Sequence, residues 1–123
     1  MKSIVAFLST VVLLSVMSVS TPAKANDVAS FLAGVCDNVA SDNKGRFRKK
    51  LKNAGVKLRN IYDGVTCGGK PLIRYAIENN AKDVGVFMVK RMPSSHFASS
   101  GDLEWASANG FGDSDIAKAI AKR

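Results

Sequence analysis

The chain has one histidine and two cysteines, and their spacing matches no zinc pattern. His96 stands among Ser94, Ser95, Ser99 and Ser100, a polar stretch that reads as a loop with nothing fixed beside the imidazole. A nucleophilic enzyme needs a positioned base and a third group to orient it. The sequence nominates neither, so no catalytic residue, no metal ligand and no cofactor is expected. Gly68-Gly69 lacks the Lys-Ser/Thr that completes a phosphate loop and reads as a tight turn. Asp113 and Asp115 precede an apolar run and serve the positive end of a helix rather than a cation. Acids are missing altogether between Lys44 and Arg59. No long apolar run recurs after Val19.

The N-terminus has what the rest lacks. Lys2 gives a positive start, and Ile4 to Val19 is apolar apart from Ser and Thr. Thr21-Pro22 breaks the run, and Ala23-Lys24-Ala25 supplies small-x-small residues. Together these predict a cleaved signal peptide over residues 1–25; the run is shorter than the ~20 residues a membrane-spanning helix needs. A mature chain starting near Asn26 forms one domain, 26–123, with no transmembrane segment and, without a Cys at its start, no lipid anchor. Its location is periplasmic or secreted, in a bacterium. Lys2 and Lys24 are the leader's only charges, so the net charge falls from +8 to +6 on maturation.

In an oxidising compartment an even cysteine count favours a disulfide between Cys36 and Cys67. It would stabilise the fold by ~3 kcal/mol through restriction of the unfolded chain. Free buried thiols or a metal pair are the alternatives.

Apolar spacing predicts helices separated by short polar turns. Asp27 to about Ala40 carries Val28, Phe31, Leu32, Val35, Cys36 and Val39 on one stripe, and Lys44 to Asn53 carries Phe47 and Leu51. A third helix begins at Pro71, and a fourth follows Asn79-Asn80 with Val84, Phe87 and Met88 inside. After a Pro93-Ser94-Ser95 loop, Leu103, Trp105 and Ala106 start a fifth. Ile116, Ala119 and Ile120 mark a sixth, capped by Asp113 or Ser114.

The helices fall into three similar pairs. Ile73-Arg74-Tyr75-Ala76, the Asn79-Asn80 turn, then Val84 and Met88 match Leu103-Glu104-Trp105-Ala106, Asn109-Gly110, then Ile116 and Ile120. Cys36-Asp37-Asn38-Val39, Asp42-Asn43, then Phe47 and Leu51 give a weaker first copy. The middle copy, Gly69-Lys70-Pro71-Leu72-Ile73-Arg74-Tyr75-Ala76 with its Asn79-Asn80 turn, resembles an ankyrin repeat. That resemblance implies an all-α, ankyrin-like short solenoid of three stacked helix pairs, with Asn60 to Gly69 as the connecting finger and binding through its loops and adjoining helix face. The alternative is a compact all-α bundle whose short helices simply look alike.

An exported leader, a Cys in the first helix, a basic second helix and Val65-Thr66-Cys67-Gly68-Gly69 ahead of Leu72-Ile73-Arg74-Tyr75-Ala76 together resemble a family of small exported proteobacterial proteins of unknown function. The resemblance implies a compartment and two cysteines that matter together, and no activity.

Lys44, Arg46, Arg48, Lys49, Lys50, Lys52, Lys57 and Arg59 form an uninterrupted basic stretch. Its field attracts polyanions by counterion release. Few aromatics interleave these residues, which argues against stacking on single-stranded nucleic acid. The stretch also has too little free apolar surface to enter a membrane. A non-enzymatic binding module is therefore expected, using Arg46, Arg48, Lys49, Lys50, Lys52, Arg59 and Tyr62; the alternative for Tyr62 is that, with Ile61, it plugs the end of the first repeat. Its partner is a periplasmic or envelope protein, or else an anionic envelope component such as lipopolysaccharide or anionic lipid; cytosolic nucleic acid is excluded. A thiol enzyme using Cys67 with His96 is the remaining alternative, and a disulfide would abolish it.

Overall fold

Capping chemistry sets the helix ends. The computed structural model describes residues 23–123. Of the expected leader, Met1 to Pro22 lie outside the described residues, and Ala23 to Ala25 are helical backbone at the start of α1 (Ala23–Ala40). Asn43 caps α2 (Lys44–Ala54) by accepting the Arg46 N–H at 3.0 Å, and Gly55 ends it in the left-handed conformation (φ 67°). Ser114 caps α8 (Asp115–Ala121) by accepting the Ala117 N–H at 3.1 Å. Between these lie α3 (Leu58–Ile61), a 3-10 turn (Tyr62–Gly64), strands β1 (Thr66–Cys67) and β2 (Lys70–Pro71), then α4 (Leu72–Glu78), α5 (Lys82–Arg91), α6 (Ser94–Ser100) and α7 (Asp102–Ala108). The protein is mostly helical, as the apolar spacing predicts. The two strands pair antiparallel through Gly68 and Gly69 (φ 59° and 78°), the left-handed pair that a two-residue hairpin turn demands.

Three pairs of contacting helices, α1/α2, α4/α5 and α7/α8, make up the bulk of the described residues. Within them α1 packs on α4 and α4 on α7, while α2 packs on α5 and α5 on α8. The turns inside the pairs repeat one geometry. Each has a left-handed residue two positions past the first helix: Asp42 (φ 54°), Asn80 (φ 52°) and Gly110 (φ 82°). In each, the next N–H reaches back to a helix carbonyl. Asn43 bonds Asn38 at 2.8 Å, Ala81 bonds Ala76 at 2.9 Å, and Phe111 bonds Ala106 at 2.7 Å. This is a helix-terminating motif that satisfies carbonyls otherwise left without donors.

That geometry corrects the alignment of the first copy by one residue. Asn38, not Val39, is equivalent to Ala76, and Val35 is equivalent to Ile73. The left-handed residue sets the register, and Asp42 rather than Asn43 takes that role beside Asn80.

The core runs through all three pairs. Phe47, Leu72, Ile73, Ile77, Met88 and Ile116 are its largest fully buried side chains. α5 and α8 meet at Gly85, where an added Cβ would collide with the Ile116 side chain. Cys36 and Cys67 form a disulfide, Cα–Cα 5.6 Å and 31 residues apart in sequence, which fastens α1 to the hairpin. No free cysteine is left, which removes both the free-thiol and the metal-pair readings.

Two segments differ from expectation. The stretch from Ser94 to Ser100 is helix α6, not a loop. Pro93 leads into it, and Gly101 (φ 70°) both ends it and turns the chain into α7. The connecting finger expected over Asn60 to Gly69 is largely ordered structure: the end of α3, the 3-10 turn and half of the hairpin. No helix among the described residues is long and apolar enough to cross a membrane.

Candidate anionic-partner interface

On α2 only Phe47 and Leu51 are buried. A helix that commits one narrow stripe to the core must send its other side chains outward. Arg46, Arg48, Lys49 and Lys52 are accordingly exposed. Lys50 is half-buried, the end of its side chain lying against α1 where Gly34 has no side chain.

Arg48, Lys49 and Lys52 form one wall of a groove of about 820 Å³. Lys57 and Arg59, from the chain past Gly55, and Arg91 at the end of α5 continue its rim. Leu51, Val56, Leu58 and Phe87 supply its apolar floor, and among the described residues no carboxylate lines it. Phe87 stands edge-on to Phe47, ring centroids 6.0 Å apart. Three cations crowd its ring: Lys44 Nζ at 6.0 Å, the Arg48 guanidinium carbon at 5.7 Å and that of Arg91 at 5.1 Å. Ion pairs among the described residues join Lys70 to Glu78, Arg74 to Asp102 and Lys82 to Asp115. None involves a cation of the groove.

The expected binding residues therefore divide. Arg48, Lys49, Lys52 and Arg59 share the groove. Arg46 and Lys50, with the other flank of Lys49, border a smaller concavity of about 360 Å³ against Asp37 and Asn38 of α1. Tyr62 belongs to neither and is corrected: it is 3% exposed, and its hydroxyl accepts the Ile73 N–H at 3.1 Å. Sequence reasoning missed Arg91 and placed Phe87 wholly inside, although Phe87 is only half-buried. The available signal was the basic pair Lys90-Arg91 closing α5.

Tyr62 lies instead in a polar cluster between α4, α6 and α7. Arg74 donates through Nε to Asp102 Oδ1 at 2.9 Å and through its terminal nitrogen to the Ser100 carbonyl at 2.9 Å, with its guanidinium 5.5 Å from the Trp105 ring centre. The His96 ring meets Tyr62 edge-on at 4.8 Å and Phe97 at 5.0 Å. His96 thus has fixed neighbours, contrary to the loop reading. Its Nε2 stands 3.6 Å from Asp102 Oδ2, beyond hydrogen-bond reach, and both atoms are buried without a partner. Burial pushes the Tyr62 phenol well above the ordinary tyrosine range; the Ile73 N–H opposes the shift, and the Asp102 charge adds to it.

Fold and groove together define a small helical domain, crosslinked by one disulfide, with a basic cleft. The model of the family described as "Protein of unknown function (DUF3718)" matches residues 35–99, more than half of the chain, and the protein belongs to that family. The match contains both cysteines, the hairpin and every residue lining the groove; α7 and α8 lie beyond it. No curated protein and no solved structure matches the chain.

Proposed function

We propose that the protein is an exported, non-enzymatic binding module that holds an anionic partner of the bacterial envelope in the α2–α5 groove. The observation that carries this reading is the set of six cations (Arg48, Lys49, Lys52, Lys57, Arg59 and Arg91) around an apolar floor, with no ion pair to any of them among the described residues. Like charges held close together repel, and an anionic ligand turns that cost into attraction. Export is supported by the leader pattern and by the Cys36–Cys67 disulfide, which persists in oxidising compartments.

An ankyrin-like stack is the architecture that best accounts for the three pairs. Its support is the shared turn geometry at Asp42, Asn80 and Gly110, and the two rows α1–α4–α7 and α2–α5–α8. A short solenoid of this kind offers a helix row as its binding surface, and the groove lies along the α2–α5 row.

Retention on a heparin-class matrix tests the reading. The wild-type protein should bind and elute with rising salt, and Arg48→Glu/Lys49→Glu/Lys52→Glu should pass unretained. Equal retention of the two would remove the groove from the account.

A further inference from the structure

We infer that the ligand of the groove is an acidic segment of a partner protein, which pairs its carboxylates with the rim and seats one apolar side chain against Phe87 and Val56. This rests on the groove being an anion site and adds the chemistry of the occupant.

The rim alone would suit any polyanion; the floor narrows the choice. Leu51 and Leu58 are almost wholly buried, while Val56 and Phe87 keep part of their surface at the base of the groove. A polysaccharide or a nucleic-acid backbone brings repeated charge and nothing apolar to cover that surface. A bilayer brings apolar chains, but they would need protein side chains able to enter it. Val28 is the one large hydrophobic side chain that is well exposed among the described residues, and it lies on α1, outside the groove. A peptide segment supplies both halves, carboxylates and an apolar side chain set between them.

Two further features fit a peptide. Arg48 and Arg91 approach Phe87 from different helices, and their planar guanidinium groups match carboxylates in a two-point geometry that ammonium groups lack. Asn53 also lines the groove and is exposed, so its amide can both donate to and accept from an extended backbone. The groove's volume of about 820 Å³ is that of a cleft able to enclose several side chains.

The test is calorimetric titration of the purified protein with two synthetic peptides. One is rich in Asp and Glu with a central Phe; the other has Ser in place of that Phe. Phosphatidylcholine vesicles doped with phosphatidylglycerol and a heparin-class polysaccharide form the comparison arms. The Phe peptide should bind at least about tenfold more tightly than the Ser peptide, the effect of one buried aromatic anchor. That advantage should vanish in Val56→Asp and in Phe87→Leu, both at half-buried positions that line the groove and pack against the core, with helical circular dichroism confirming that each variant is folded. Equal affinity for the two peptides would overturn the anchored segment while leaving an anion-binding groove. Binding of vesicles or polysaccharide but of neither peptide would likewise overturn a protein partner and keep the anion site. If no probe binds, the groove reading fails along with this one.

Discussion

Asp42 Oδ1 accepts the Val84 N–H at 2.8 Å across 42 residues of sequence. Val84 is the third residue of α5, the position whose N–H an N-cap side chain usually satisfies. The cap of α5 is Ala81, which has no side chain able to do so. Asp42 therefore caps α5 from the turn of the preceding helix pair, joining one pair to the next.

Asp42→Ala should lower stability by about 2 kcal/mol, since it removes the cap and places alanine at a positive φ. Asp42→Asn keeps an acceptor and tolerates the left-handed backbone, so its loss should stay within about 1 kcal/mol. Urea denaturation followed by circular dichroism separates the two. Equal losses would show that the hydrogen bond to Val84 contributes nothing.

The disulfide gives a second prediction. Cys36→Ser/Cys67→Ser should lose about 4 kcal/mol, by the entropy of a closed loop spanning 31 residues. Reductant should add the mass of two hydrogen atoms, one on each sulfur, to the wild-type protein and nothing to the variant. A wild-type protein that alkylates without reductant would contradict the crosslink.

At the α5–α8 contact, helix propensity and packing oppose each other. Alanine in a helix interior is favoured over glycine by about 1 kcal/mol. A Cβ at residue 85, however, would meet the buried Ile116 side chain, and overpacking costs about 1–3 kcal/mol. Gly85→Ala should therefore destabilise the protein, and Gly85→Ala/Ile116→Val should recover part of the loss. A stabilising Gly85→Ala would mean that α8 yields freely.

Tyr62 makes stability fall at alkaline pH. Its phenol is raised above its ordinary value near 10 chiefly by burial, so the folded protein holds a proton that the unfolded chain releases. The contribution is complete below about pH 10 and is lost as pH rises further. In Tyr75→Phe, Tyr62 is the only tyrosine, and tyrosinate absorbance should grow only in step with loss of helix. Ionisation with the helix signal intact would contradict the buried phenol.

The regular helices were legible because each buries a stripe at helical spacing: Val35 and Val39 on α1, Phe47 and Leu51 on α2, Ile73, Ala76 and Ile77 on α4. α6 was not, since its serines are modest helix formers and none of its residues is fully buried. It is fixed by its ends and by the contacts of His96 and Phe97. The Arg74–Asp102 pair and the Asp42–Val84 bond join distant parts of the chain and leave no local trace. Of the groove, the α2 wall could be read from an acid-free basic run beside two buried residues. Its α5 wall could not, because Phe87 looks like core in a helix whose neighbour is unknown. Tyr62 could be read either as a binding residue or as a plug of the first repeat, and its burial decides for the plug.

Equal changes of charge at two places test the groove most directly. Arg48→Glu/Lys52→Glu/Arg59→Glu alters the rim, whereas Lys90→Glu/Lys118→Glu/Lys122→Glu makes the same change at exposed positions that do not line it. The salt concentration that elutes each from a heparin-class matrix is compared with wild type. The rim variant should lose retention and the remote variant should keep most of it. Equal losses would mean that net charge alone drives binding and that the groove has no part in it.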